Sequence, residues 1–294
     1  MPEAVVTPLR KPGIQDRSIL MERGRVGVLL IHGLGGTPLE MKSLARHLAS
    51  AGSTVLCCHL AGHCGSEDDL IATRWQDWEA SALAALAKLE ERCDTVIVGG
   101  LSMGAVLAAR LAAREPERIH GLMMLAPTLW YDGWSIPWYS FLLKWFINTP
   151  HGSRYRFVER EPYGLKDERI RALVASAMMS GDSTVAGLMA TPARALKEMW
   201  RLVDALKPDL GKVRQPTFLV HSRDDDIASI SNAHYLQKKL GGLVETLILD
   251  DSYHLVTVDR QRGLVMERAA SFIDNVAAEA REKAQAAASR LRAL

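Results

Sequence analysis

The chain has 294 residues, 36 of them basic and 34 acidic, for a formal net charge of +2 at pH 7. With 48% hydrophobic and 24% charged residues it has the balance of a globular protein, which excludes disordered, collagen-like and disulfide-scaffold chains. So even a balance leaves no electrostatic footprint for nucleic acid, and the length suits one large domain interrupted by an insertion.

The start of the chain, Met1-Pro2-Glu3, has no basic segment leading into a sustained apolar run, so no secretion signal is expected. No stretch of about 18 apolar residues offers a bilayer span. The four cysteines (Cys57, Cys58, Cys64 and Cys93) read as reduced thiols, and the expected location is the cytoplasm. Residues from Arg17 to about Glu22 are expected to form an antiparallel hairpin at a sheet edge. The run RVGVLLIHG (25–33), apolar on both faces, predicts a strand inside a parallel sheet. A helix over about 38–51, a strand over 53–60 and a glycine-bearing loop (AGHCGSEDD) follow. Next come a helix over about 73–92, the strand TVIVGGL (95–101), a helix over 103–114 and a strand over 119–126. This alternation with short connections predicts βαβ crossovers and a doubly wound, mostly parallel sheet.

The rhythm stops near Pro127. Residues 130–146 hold eight of the eighteen aromatic residues and four of the seven tryptophans. Helical pieces are expected around 166–178 and 182–190. The α/β rhythm resumes with a helix over about 192–206, the strand TFLVHS (217–222), a helix near 228–240, a strand over 243–250 and a last helix from about Gln261. The expected division is therefore a core of residues 1–128 and 191–278, a helical aromatic-rich cap over 129–190, and a basic, alanine-rich tail over 279–294. Residues 280–294 carry +3 and everything before them −1.

Gly100-Leu101-Ser102-Met103-Gly104 fits G-x-S-x-G, and it stands between a predicted strand and an apolar helix. A serine at so tight a turn is forced into an exposed, strained position, and the flanking glycines remove side chains that would clash. The helix start behind it aims backbone N–H groups at any oxyanion formed there. A serine hydroxyl needs a base, and the base an orienting carboxylate. Of nine histidines, His254 alone lies on the loop after the last predicted strand, at the sheet edge where open α/β folds gather their active sites. The turn after strand 217–222 supplies the acid from Asp224, Asp225 or Asp226. Neighbours on one turn do not converge on a metal ion without further ligands, and no completing spacing is present, so neither metal nor cofactor is called for.

The order Ser102, aspartate, His254 is that of the α/β-hydrolases. With HGLGG (32–36), GHCG (62–65), WQDW (75–78), HSRDDD (221–226) and SYH (252–254), the chain resembles that superfamily, and within it the bacterial carboxylesterase and monoacylglycerol lipase group, over residues 20–278. The resemblance implies the acid at Asp225, with Ser222 in place of a usual glycine. It also implies backbone N–H donors to the oxyanion from Leu34 and Met103. The implied activity is hydrolysis of carboxylic esters with short to medium acyl chains, monoacylglycerols included, through an acyl-enzyme.

In the insertion, Trp134, Trp138, Phe141, Leu142, Trp145 and Phe146 fall three to four residues apart, which predicts one broad helical stripe packed onto the core as a lid. Trp134, Trp138, Phe141 and Trp145 are the expected substrate-binding residues, lining an acyl tunnel or allowing transient contact with a lipid interface. The expected partner is a small ester, with no nucleic acid. The rival readings are an amidase or acyltransferase with the same triad, and a catalytically silent ligand-binding relative on the same fold.

Overall fold

Alternating apolar strands and amphipathic helices build a layered α/β fold around a seven-stranded sheet in the computed structural model, which describes residues 15–179 and 187–292. The strands are β1 (Ile19–Met21), β2 (Val26–Ile31), β3 (Thr54–Cys58), β4 (Thr95–Leu101), β5 (Gly121–Leu125), β6 (Arg156–Val158), β7 (Ala190–Pro192), β8 (Thr217–Ser222) and β9 (Val244–Leu249). The main sheet runs in the order β1-β3-β2-β4-β5-β8-β9, with all neighbours parallel except β1 on β3. Successive side chains of a strand face opposite layers. Leu29, Ile31 and Val98 accordingly pack against α3 (Trp75–Glu90), α4 (Met103–Arg114) and α7 (Ala193–Leu206), around the buried Trp78. Val28, Leu30 and Ile97 pack instead against α1 (Lys42–Ser50) and α9 (Arg262–Arg292).

The registers bring Ile31 beside Gly100, Leu101 beside Leu125, Leu125 beside Val220 and Ser222 beside Leu249. The C-terminal ends of β2, β4, β5, β8 and β9 therefore share one rim, and the loops leaving them carry His32, Ser102, Thr128, Asp225 and His254. The edge strand β1 is antiparallel as expected, but it forms no hairpin with β2. Both flanks of β2 are taken by β3 and β4, so the open edge available to β1 is that of β3. The loop after β3 contains an unexpected short helix, α2 (Glu67–Ile71), set by a capping box in which Ser66 and Asp69 exchange hydrogen bonds.

The insertion follows β5 and is not purely helical. It contains α5 (Leu143–Phe146), α6 (Glu168–Met179) and an antiparallel ladder of β6 on β7. The helical piece expected at 182–190 lies mostly outside the described residues, and its last residue, Ala190, begins β7. The aromatic stripe does not pack on the core. Trp138–Leu142 is a 3-10 helix and only Leu143–Phe146 is α-helical, so the spacing that would have lined up one face of a long helix is broken. Trp138 and Trp145 are exposed at 84% and 81%. After the cap, β8 leads to α8 (Ser231–Lys239), then β9 and α9. Helix α9 contributes Val265, Ala269, Phe272, Ile273, Val276 and Ala277 to the core, then continues as an exposed extension from residue 281 to 289.

Candidate active site

Ser102 sits between β4 and α4 with φ 56° and ψ −115°, a left-handed conformation costly for a residue with a side chain. The turn closes because its neighbours are glycines. A Cβ on Gly100 would lie 2.2 Å from the Gly104 carbonyl carbon, and one on Gly104 would lie 2.2 Å from the Ile31 carbonyl oxygen. The hydrogen bond made by Ser102 Oγ is to Thr128 Oγ1, 3.1 Å away on the loop after β5. Met103 heads α4 directly behind the serine, and Gly33, just before Leu34, faces Ser102 Cβ across a gap that a single Cβ would fill.

The three aspartates after β8 part company. Asp224 points outward, with Lys166 Nζ 3.4 Å away. Asp225 is buried, and its Oδ2 lies 2.8 Å from His254 Nδ1, its Oδ1 3.1 Å. Asp225 Oδ1 also accepts the N–H groups of Ile227 and Ala228 at 2.9 and 2.8 Å. Burial alone would raise this carboxyl, but the charge and hydrogen bond of His254, with His221 and the Ala228 N–H, hold it below the ordinary aspartate value. Burial alone would likewise lower His254, but Asp225, Asp226 and Glu159 bring it above the ordinary imidazole value. Asp226, also buried, accepts the Gly164 N–H (3.1 Å) and the His254 N–H (3.3 Å). It thereby ties the cap to the histidine loop. Asp259 makes a second tie, accepting the N–H groups of Lys166 and Asp167 from the cap and of Tyr253 beside the histidine.

The loop after β2 is held as firmly. His32 is fully buried, its Nδ1 2.9 Å from the Gly33 carbonyl, and burial pushes it down to about 4, so it stays neutral. Gly33 donates its N–H to Glu40 Oε2 at 3.1 Å. Burial pushes the Glu40 carboxyl up to about 7 and raises that of Glu159, which reaches in from the cap with Thr191 Oγ1 at 3.4 Å.

The elements thus bring Ser102, Asp225, His254, Leu34 and Met103 to one rim of the sheet. They do not bring the four cap aromatics with them. Trp134 stacks edge-to-face on Tyr253 and donates its Nε1–H to the Asp224 carbonyl, while Trp138, Phe141 and Trp145 stand on the surface. Thr128, Glu40, Glu159 and Asp259 are absent from the sequence-based set, which holds Asp226 as an alternative acid. Glu40 alone carried a local signal, the capping pattern Thr37-x-x-Glu40; the others meet the site through the tertiary fold.

Residues 23–261 match the family described as serine aminopeptidase, S33 (Hydrolase_4). Among curated proteins, the chain is 29% identical over 252 residues to a thermostable monoacylglycerol lipase of Bacillus sp. (strain H-257), covering 85% of this chain and 91% of that one. It is 22% identical over 265 residues to a carboxylesterase of Bacillus subtilis (strain 168), covering 90% and 98%. Among solved structures, one from work on the metagenome-derived lipolytic enzymes LipS and LipT superposes with a TM-score of 0.74 at 29% identity, over 90% of this chain and 99% of that one.

Proposed function

The chain belongs to the Hydrolase_4 family (serine aminopeptidase, S33) and has the α/β-hydrolase fold, and from that premise we propose that it is a serine carboxylesterase acting on short to medium acyl esters, monoacylglycerols included. The observation that carries this reading is the His254–Asp225 pair at 2.8 Å, on the same sheet rim as a serine in a strained strand-to-helix turn. His254 Nε2 takes the proton of Ser102 as Oγ attacks the ester carbonyl. Asp225 holds Nδ1–H and stabilises the imidazolium that forms. The N–H groups of Leu34 and Met103 receive the oxyanion, a donor of this kind contributing about 3–4 kcal/mol to the transition state. His254 then gives its proton to the departing alcohol, and water, deprotonated by the same ring, releases the acid from Ser102.

Glu159 and the raised Glu40 make the neighbourhood of His254 polar, which supports a hydroxyl-bearing alcohol rather than a second apolar chain on the leaving side. The exposed Trp138, Phe141 and Trp145 support transient contact between the cap and a lipid interface. Among the described residues no helix is long and apolar enough to cross a membrane. Four buried free thiols support a reducing, cytoplasmic location.

The test is Ser102→Ala on p-nitrophenyl butyrate, with labelling by a fluorophosphonate. Activity should fall by several powers of ten and labelling should vanish. Undiminished hydrolysis would refute the reading. Matched ester and anilide substrates separate esterase from amidase, and an unlabelled but folded parent would point to a silent binding protein.

A further inference from the structure

We propose that Glu40 is a positioning residue for acyl transfer: its carboxyl grips the backbone of the loop that carries the Leu34 N–H and holds that donor in place beside Ser102. This rests on the reading of Leu34 as an oxyanion donor. Glu40 lies just outside the loop, in the 3-10 turn Pro38–Met41, whose N-cap is Thr37. Its Oε2 accepts the Gly33 N–H at 3.1 Å, and its own backbone N–H donates to the Thr37 carbonyl at 3.1 Å. One residue therefore holds both ends of Gly33-Leu34-Gly35-Gly36-Thr37, Gly33 through its carboxyl and Thr37 through its backbone. The carboxyl lies flat on Gly36, where a Cβ would come within 1.9 Å of Oε1. The missing side chain at position 36 is thus the space Glu40 occupies. Gly33 is sandwiched, since a Cβ there would lie 3.5 Å from Glu40 Oε2 and 3.8 Å from Ser102 Cβ.

The grip is itself anchored. Thr257, three residues beyond His254, donates its Oγ1–H to the Glu40 backbone carbonyl at 3.2 Å. From the other side, Leu188 of the cap donates its N–H to the Gly35 carbonyl at 2.9 Å. The donor loop is held between Glu40 beneath and the cap above, and Glu40 links it to the histidine loop. A glycine-rich segment has little stiffness of its own. An oxyanion donor must be in place before charge develops, because a displacement of about 1 Å can cost on the order of 100-fold in rate. A carboxyl that accepts the Gly33 N–H, on a residue whose backbone is tied to Thr37, supplies that stiffness where an apolar residue would not. It costs burial of an acid, a cost met mainly at functional sites.

The test compares Glu40→Ala, Glu40→Asp and Glu40→Gln with the parent and with Ser102→Ala on p-nitrophenyl butyrate, recording kcat, KM, and affinity for an alkyl trifluoromethyl ketone, which forms an oxyanion at the serine. Glu40→Ala and Glu40→Asp, whose shortened carboxyl no longer reaches the Gly33 N–H, should lower kcat by about 10- to 100-fold with KM within about twofold. Affinity for the ketone should fall by the same factor as kcat. Glu40→Gln keeps an acceptor for the Gly33 N–H and should retain kcat at least about tenfold above that of Glu40→Asp. If Glu40→Ala does not fold, the Gln-to-Asp ratio decides. Equal kcat for Gln and Asp, or losses confined to KM, would overturn the proposal while leaving the serine mechanism standing. Activity surviving in Ser102→Ala would instead remove the reading beneath it.

Discussion

Ser102 Oγ and Thr128 Oγ1 lie 3.1 Å apart, and Thr128, fully buried, also has the Ala126 carbonyl 3.3 Å from its hydroxyl oxygen. In the proposed mechanism this contact between the two hydroxyls must give way before His254 takes the serine proton. A neutral hydrogen bond contributes about 0.5–1.5 kcal/mol, so releasing it corresponds to roughly a 2- to 10-fold gain in attack. Thr128→Val, which preserves shape, should raise the rate of fluorophosphonate labelling by about that factor. It also strips the Ala126 carbonyl of a donor, so the melting temperature should drop by about 2–4 °C. Slower labelling would mean that Thr128 aims the serine instead of restraining it.

The divergence of the three aspartates makes a sharp comparison. Asp225→Asn should leave the fold intact but present the wrong imidazole tautomer, lowering kcat by about 10⁴-fold. Asp224→Asn removes only an exposed partner of Lys166 and should leave kcat/KM within about twofold, since surface ion pairs contribute about 0–1 kcal/mol. Steady-state kinetics on one soluble ester reads both. Comparable losses in the two variants would show that the acid is misassigned.

The raised His254 gives the pH dependence a definite sign. Only the neutral ring can take the serine proton, so kcat/KM should climb as pH rises through the folded-state value, with its midpoint above the ordinary imidazole value of about 6.5. Asp225, Asp226 and Glu159 hold the proton on the ring, and Glu159 is the one outside the proposed triad and its immediate loop. Glu159→Gln should therefore move the acid limb to lower pH. The same shift bears on stability. The contribution that this interaction makes to folding is fully present below the unfolded imidazole value and is lost as pH rises through the folded one. An unmoved acid limb would place Glu159 too far from the ring to matter.

The parts of this protein that could be read from sequence are those set by local rules. β4, α4 and β8 fall where their apolar runs and glycine turns put them, because a buried parallel strand and a nucleophile turn leave little freedom of pattern. The partner of β1 could not be read, since edge pairing depends on which strand is left open. Nor could the choice among Asp224, Asp225 and Asp226 be made from composition, because successive side chains on a turn diverge and only the position of His254 distinguishes them. Thr128 and Glu159 reach the site from separate loops and leave no short-range trace. The aromatic stripe shows the limit of periodicity: spacing marks rings that share a side, but not whether that side meets the core or the solvent.

That exposed side leads to a last expectation. Trp138 and Trp145 are 84% and 81% exposed, and the rings Trp138 meets, Tyr139 and Phe141, are themselves exposed. Their removal should cost the fold little, so Trp138→Ala/Trp145→Ala should melt within about 1–2 °C of the parent and hydrolyse dissolved p-nitrophenyl butyrate within about twofold. At a lipid surface the outcome differs. An aromatic side chain buries about 150–250 Å² on full transfer, which at about 25 cal/mol per Å² amounts to a few kcal/mol. Even partial immersion of two rings should strengthen binding on the order of 10- to 100-fold. Sedimentation with neutral phosphatidylcholine vesicles should show that loss in the double variant, and hydrolysis of a medium-chain monoacylglycerol dispersed in those vesicles should fall with it. If vesicle binding is weak in the parent and unchanged in the variant, the aromatic surface has some role other than lipid contact, and the substrate must reach Ser102 from solution.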